Sequence, residues 1–228
     1  MAGDPLGRLK SLMGSDAYLW DGNSLSGGIG NWTDSISGEV LTYTANAAPG
    51  SIVLDAGNGR YYYSQAVGCT SQFELASFAA GTVAQTFSVH FVTLQEKVTA
   101  SDRNLTDSAT GGGSDRFIIM FDHSTNDPSL RSTAFQTMAS NWSESIVTVR
   151  SALVAGAGTT FWLNGVADGT GAAIGVEGIT SLALGTHGSL TPEDFNFEGR
   201  TYFFGIVPTN HANRQAIDIE MMRLCNVA

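Results

Sequence analysis

Short runs of β-branched and aromatic residues, usually followed by Gly, Asn or Asp, recur along the 228-residue chain. They limit the chain to folds made of many short strands, because such runs are too brief for ordinary helices and their ends favour turns. Residues 86–95 show the pattern most clearly, since Phe87, Val89 and Phe91 alternate with polar side chains. The predicted strands are 17–20, 40–44, 51–54, 60–63, 72–75, 86–95, 117–121, 145–154, 159–163, 179–184 and 202–207.

Turn-forming pairs support this interpretation. Asn58-Gly59 precedes a run of three tyrosines, and Asn164-Gly165 lies between two apolar segments, which is a strong hairpin signal. The glycine-rich stretch 109–114 is interpreted as a surface loop rather than a linker between domains, because the strand pattern continues on both sides of it.

The number of strands and the short turns between them predict an all-β fold. We expect a two-sheet antiparallel jelly-roll sandwich with short peripheral helices. Residues 16–228 are predicted to form this single domain, and residues 1–15 are predicted to form an N-terminal arm.

One segment near the end of the chain has a helical pattern. In residues 213–224, Ile217, Met221 and Leu224 are spaced to share one face of a helix. The same segment also alternates as a strand would, and of the two we predict a short helix.

The charge of the chain excludes some partners. Its net charge is −10 and it has two lysines, Lys10 and Lys97, so it repels the phosphates of nucleic acids and anionic membrane surfaces. No apolar run approaches the ~20 residues that span a bilayer. The first residues also have no apolar run of signal-peptide length, so we expect no signal-peptide route of secretion.

The second half of the chain resembles the laminin-G-like, concanavalin A-like lectin/glucanase superfamily. The resemblance extends over about residues 87–224 and consists of an ordered series of short motifs. They are Thr160–Gly165 (TFWLNG), Leu182–Gly185 (LALG), Phe197–Gly199 (FEG), Tyr202–Ile206 (YFFGI) and the helical tail that ends at Leu224.

The resemblance implies a non-catalytic structural or decoration module of a phage virion, attached to a capsid or tail and able to bind surface glycans. Its partners would be other virion proteins or copies of itself. The alternative is a secreted or cell-surface carbohydrate-binding adhesin module, which would place the chain outside a cell. A less favoured alternative is a glycoside hydrolase.

The hydrolase alternative depends on Ala216-Ile217-Asp218-Ile219-Glu220. Related retaining glucanases carry a strand with carboxylates at the first, third and fifth positions, and two of these carboxylates do the chemistry. Here the first position is Ala216, so one partner of the double displacement is absent. Asp218 and Glu220 are therefore expected to be surface carboxylates.

A loop after a buried strand is a candidate metal site. Asp122, Asn126 and Asp127 would supply oxygen ligands, which calcium (Ca2+) prefers. The alternative is a turn in which these side chains bond the local backbone. No other cofactor is expected.

Three aromatic residues are candidates for stacking on a sugar ring. Trp142 lies in a polar stretch, and Tyr61 and Tyr63 share one face of a predicted strand. The alternative is that these rings fill the core. His90 is expected to be solvated on the polar side of its strand.

Cys69 and Cys225 are far apart in sequence and lack the spacing of a metal site. We interpret them as two buried free thiols, and a disulfide between them stays open at this stage.

The arm is predicted to be an assembly contact, in a homo-oligomer or on a larger particle. One helical turn would present an apolar stripe beside two of only eleven basic residues. The alternative is that the stripe folds back onto its own domain. Deleting residues 1–15 is expected to release the protein without unfolding it. The predicted contact residues are Leu6, Arg8, Leu9, Lys10, Leu12 and Met13.

Overall fold

A computed structural model describes residues 6–44, 48–66, 68–84, 86–96, 103–107, 117–122, 127–131, 135–141, 145–171, 178–185, 197–209 and 211–228. The α-helices within these ranges are α1 (Gly7–Met13) and α2 (Arg214–Cys225). The strands are β1 (Tyr18–Asp21), β2 (Trp32–Thr33), β3 (Val40–Thr44), β4 (Ser51–Asp55), β5 (Arg60–Gln65), β6 (Gln72–Leu75), β7 (Phe87–Gln95), β8 (Arg103–Asp107), β9 (Ile118–Asp122), β10 (Asp127–Arg131), β11 (Phe135–Thr137), β12 (Val147–Val154), β13 (Thr159–Leu163), β14 (Val166–Gly171), β15 (Leu182–Leu184) and β16 (Gly199–Val207).

The strands form two antiparallel sheets. The first has the order β14-β13-β12-β7-β16-β5-β4, and β1 also pairs with β16. The second has the order β11-β10-β9-β8-β15-β6-β3-β2. Each sheet has eight strands within the described ranges. This confirms the predicted all-β, jelly-roll-like sandwich of two sheets.

Aromatic and aliphatic side chains from the inner faces of both sheets form the main core. Phe91 and Phe204 of the first sheet are fully buried in one cluster with Phe73 and Phe121 of the second. Closely packed rings fill such a core because each removes a large apolar area from water. The inward-facing positions of β7 therefore follow the alternation seen in the sequence.

The two helices form a third layer on the outer face of the first sheet. Leu9 and Met13 of α1 lie in a second apolar cluster with Ile217 and Met221 of α2. This cluster also includes residues of β7 and β16, so the middle strands of the first sheet are buried on both faces. At Gly205, a Cβ atom would lie 2.9 Å from the Met13 side chain, which shows how closely α1 approaches β16.

The predicted helix at 213–224 is confirmed as α2. The hairpin at Asn164-Gly165 is also confirmed, and both residues have the positive φ angles, 48° and 77°, of the tight turn that joins β13 to β14. The predicted strand at 179–184 is shorter, because Ile179 forms only an isolated bridge with Val83. The stretch 109–114 lies outside the described residues. No helix within the described part of the chain is long and apolar enough to cross a membrane.

Candidate functional site

A cluster of serine, histidine and aspartate side chains lies between the first sheet and α2. Ser88 and His90 are two positions apart on β7, so both point to the outer face of the sheet. The Ser88 hydroxyl is 2.9 Å from His90 Nε2, and His90 Nδ1 is 2.8 Å from Oδ1 of Asp218 on α2. This is the order of groups in a Ser-His-Asp relay.

Other side chains hold Asp218 in the cluster. Ser151, which pairs with His90 across β12 and β7, donates to Asp218 Oδ2 at 2.7 Å. Arg214, one helical turn before Asp218, donates to the same oxygen at 2.6 Å. The Arg214 guanidinium also lies 3.6 Å from the centre of the Trp162 ring on β13. Asp218 and Arg214 together therefore tie α2 to three adjacent strands.

The relay is closed to substrates. Ser88, His90, Ser151 and Asp218 are all fully buried beneath α2. A serine nucleophile needs space for a substrate carbonyl beside it, and none is open here. The expectation that His90 is solvated is wrong, because α2 covers the face of the sheet that would otherwise meet water.

The expectation that Asp218 and Glu220 are surface carboxylates is also wrong. Both are buried. The Glu220 carboxylate pairs with Arg223 at 2.5 Å and with Arg8 of α1 at 3.5 Å. The segment is a helix rather than the strand of the glucanase pattern, and its two carboxylates bind different partners.

The aromatic candidates lie in different environments. Tyr63 is only 2% exposed and packs against Phe73, so it occupies a core position and not the surface position that sugar stacking requires. Tyr61 is half-buried and pairs across β4 and β5 with Leu54, which is 50% exposed. Tyr61 thus remains a candidate for stacking. Trp142 lies outside the described residues.

The predicted calcium ligands are only partly visible. Asp122 and Asp127 face each other across β9 and β10, and Asn126 lies outside the described residues together with the Asp122 side chain. Within the described ranges, no group of three or more His, Cys, Asp or Glu side chains could hold a metal ion. The calcium site stays a prediction.

The apolar stripe of the arm packs on its own domain. Leu6, Leu9 and Met13 are buried in the cluster beneath α1 and α2, which is the folded-back alternative. Arg8 is 73% exposed, and Lys10 and Leu12 are half-buried. An assembly contact through the arm would therefore have to use this outer, basic side.

Cys69 and Cys225 are buried free thiols, as predicted. Burial raises the pKa of the Cys225 thiol to about 12, so it stays protonated at neutral pH. It is therefore a poor nucleophile.

An open cleft lies where the β4–β5 turn, the start of β12 and the end of α2 meet. Its volume is about 330 Å³, near the lower end of the range for small-molecule sites. Sequence reasoning identified Asn58-Gly59 only as a turn signal and missed the cleft, because its walls come from three distant segments. The lining residues are Asp55, Gly57, Asn58, Ser145, Ile146, Val147, Cys225, Asn226, Val227 and Ala228.

Hydrogen bonds fix the polar wall of this cleft. Asp55 accepts from the Tyr202 hydroxyl at 2.6 Å and from the Gly57 amide at 2.8 Å. Asn58 donates to Asp55 and to the Cys225 carbonyl, at 3.1 and 3.2 Å. Partial burial opposes ionisation of Asp55, but these hydrogen bonds and nearby Arg200 outweigh it and hold the pKa of the carboxyl below its usual range.

No protein-family model matches the chain, and no curated protein matches it. Its fold is similar to several solved structures. One is domain 4 of AbnA, a GH43 extracellular arabinanase from Geobacillus stearothermophilus, in complex with arabinotriose. The two share 14% identity over 89% of this chain and 97% of that domain, with a TM-score of 0.65.

Two further structures have the same sandwich. Trypanosoma rangeli sialidase with the inhibitor DANA matches 88% of this chain at 13% identity and a TM-score of 0.56. Botulinum neurotoxin type C, which depends on interaction with two ganglioside molecules to enter cells, matches 89% at 12% identity and a TM-score of 0.58. The chain spans 32% of the sialidase and 52% of the neurotoxin chain. At such identities the likeness shows the fold alone.

Proposed function

We propose that the chain is a non-catalytic carbohydrate-binding module. The observation that carries the proposal is the fold, since the chain matches nearly the full length of an arabinanase domain that was solved with arabinotriose. The ganglioside interaction of botulinum neurotoxin type C, which has a similar sandwich, also supports it. Fold likeness alone is an analogy, so the proposal needs a direct binding test.

The arrangement of the carboxylates supports the non-catalytic part of the proposal. Asp218 and Glu220 lie on a helix, are buried, and are engaged by arginines. A retaining glycosidase needs two carboxyl groups about 5 Å apart on opposite sides of a scissile bond. Neither carboxylate of this segment is open to a sugar.

As part of the same proposal, the module is carried on a larger particle, such as the capsid or tail of a phage. The sequence resemblance to virion modules and the strongly acidic composition support this setting. The alternative setting is the outside of a cell. Co-purification of the chain with virus particles, against its recovery from a cell surface, distinguishes the two settings.

A glycan array followed by titration calorimetry tests the binding proposal. We expect saccharide binding with a dissociation constant between about 1 μM and about 1 mM, which corresponds to about 4–8 kcal/mol. We expect no release of reducing sugar from the same glycans. An array without a signal above background would refute the binding proposal, and release of reducing sugar would refute its non-catalytic part.

A further inference from the structure

We infer that the cleft between the β4–β5 turn, residues 145–147 and the end of α2 binds a neutral saccharide through its hydroxyl groups. The inference rests on the proposed function and assigns it a site. It differs from the stacking surface at Tyr61, because Asp55 and Tyr61 project from opposite faces of the β4–β5 pair.

The carboxylate of Asp55 is a preformed acceptor for sugar hydroxyls. Its Oδ2 already accepts from Tyr202 and Asn58, whereas Oδ1 accepts one hydrogen bond among the described residues, from Gly57. A carboxylate has about four lone-pair sites and Asp55 is only half-buried, so its cleft-facing side can accept a further hydrogen bond from a ligand. Hydrogen bonds to a charged acceptor are stronger than those between neutral groups.

Two other polar residues, Asn58 and Ser145, lie in the wall of the cleft. Asn58 is fixed by three hydrogen bonds, two donated by its amide and one accepted at 2.9 Å from the Arg60 amide. Ser145 has a φ of 62°, a conformation that few residues other than glycine adopt and that often marks a ligand site. Its hydroxyl is on an exposed residue in the cleft wall.

The remaining wall is apolar. Ile146 is 55% exposed, and Val147 and Val227 also line the cleft. Saccharides present C–H faces as well as hydroxyls, and an apolar wall opposite a polar one matches both. Sites of this kind combine apolar lining with a few placed polar groups.

The charge of the cleft selects neutral ligands. Asp55 is ionised at neutral pH, and the chain carries a net charge of −10. A carboxylate on the ligand would meet like charge at this wall. Sialylated glycans are therefore disfavoured in this cleft.

Titration calorimetry with four probes tests the inference: arabinotriose, cellotriose, maltotriose and 3′-sialyllactose. We expect wild-type protein to bind at least one of the three neutral probes more tightly than sialyllactose. Asn58→Ala, Ile146→Ala and Ser145→Gly are each expected to weaken that binding about tenfold. Ile146→Ala and Ser145→Gly each remove a contact group of the cleft, and Asn58→Ala removes a donor that holds the Asp55 carboxylate in place. Ser145→Gly suits the backbone conformation, and Ile146 is mostly exposed, so these two variants are expected to fold normally.

Two variants serve as controls. Asn31 is exposed and accepts a backbone hydrogen bond from Tyr43, as Asn58 does from Arg60, but lies outside the cleft. Val166 is 70% exposed and is likewise not part of its lining. Asn31→Ala and Val166→Ala are expected to bind as wild type does.

The outcomes separate the inference from the proposed function. If wild type binds a neutral probe and all three cleft variants keep that affinity, the cleft is not the binding site, and the proposed binding function stands. If wild type prefers sialyllactose, the neutral ligand class is refuted. If wild type binds no probe here and no glycan on the array, both fail.

Discussion

Asp218 shows at the scale of single residues how this chain tolerates a buried charge. Moving a carboxylate out of water costs several kcal/mol unless partners replace the lost hydration. Asp218 has three partners, His90, Ser151 and Arg214, on two strands and its own helix. In the tautomer with the proton on Nδ1, His90 donates to Asp218 and accepts from Ser88, so that each ring nitrogen has a partner. The cluster thus fixes the position of α2 rather than performing chemistry.

Replacing Asp218 is expected to destabilise the protein strongly. Asp218→Ala leaves the Arg214 and His90 groups without their acceptor in a buried site, and breaking one partner of a buried pair typically costs about 3–5 kcal/mol. The free energy of unfolding from guanidinium denaturation measures the loss.

Asp16→Ala is the control for this prediction. Asp16 is exposed and accepts one hydrogen bond, from the Thr209 hydroxyl at 2.7 Å. Removing this side chain is expected to leave the free energy of unfolding unchanged within the error of the measurement. A loss from Asp218→Ala as small as that of the control would contradict the role given to the cluster.

Only half of this cluster can be predicted from the sequence. The two-residue period of a strand places Ser88 and His90 on one face. Nothing local indicates that a residue 128 positions away reaches them. His90 was expected to be solvated because the outer face of a sandwich sheet usually meets water. The cleft was missed for the same physical reason, since its groups meet only after tertiary folding.

At the scale of elements, strong local sequence patterns correctly predicted a strand, a hairpin and a helix. The alternation in β7, the Asn164-Gly165 hairpin and the helical spacing in α2 are each set by residues within one segment. What the pattern of α2 did not show is that Asp218 and Glu220 would face inward with Ile217. Their burial depends on arginines whose charge neutralises them, and the identity of those partners is a tertiary property.

The folded-back position of α1 changes how the arm must be tested as an assembly contact. Deleting residues 1–15 would remove three buried side chains, each contributing roughly 1.5–3 kcal/mol. That loss is comparable with the whole stability of a domain, about 5–15 kcal/mol. The deletion is therefore expected to lower the melting temperature, so it does not test the contact by itself.

Neutralising the outer side of α1 tests the contact and leaves the buried apolar side chains of α1 in place. The double variant Arg8→Gln/Lys10→Gln is expected to break up the predicted homo-oligomer, because the arm would no longer present positive charge to an acidic neighbour. Light scattering would then give the double variant a lower molar mass than the wild type. Arg223→Gln is the matched control, since Arg223 pairs with the same carboxylate as Arg8 but lies on α2. If the double variant keeps the wild-type mass, the arm is not the contact. If the wild-type protein is a monomer, docking on a larger particle is the only assembly contact that the arm could still make.

At the scale of the whole molecule, the two buried faces of the first sheet enclose several groups that ionise at high pH. Burial raises the pKa of the Tyr63 and Tyr202 hydroxyls above their usual range, and that of the Cys225 thiol to about 12. In the unfolded chain these groups ionise near their ordinary values, about 10 for tyrosine and about 8.5 for cysteine. At pH values between the pKa of a group in the unfolded chain and its pKa in the folded protein, the unfolded chain has lost a proton that the folded protein keeps.

The linkage relation then fixes the sign of the pH dependence. Because the folded state binds more protons in this range, the free energy of unfolding is expected to fall as the pH rises above about 9, and to be unaffected by these groups below about 8. Arg150 and Arg214 act in the opposite direction, since burial lowers the pKa of each guanidinium, that of Arg150 to about 10. Burial also raises the pKa of Tyr18, so four groups lower the stability in this range and two oppose them. Guanidinium unfolding followed by tryptophan fluorescence at a series of pH values measures the slope.

Cys225→Ala is expected to make the first part of the decline shallower, because the thiol ionises before the tyrosines in the unfolded chain. A free energy of unfolding that stays level or rises between about pH 9 and about pH 11 would show that these groups ionise as freely in the folded protein as in the unfolded chain, contrary to their burial between the layers.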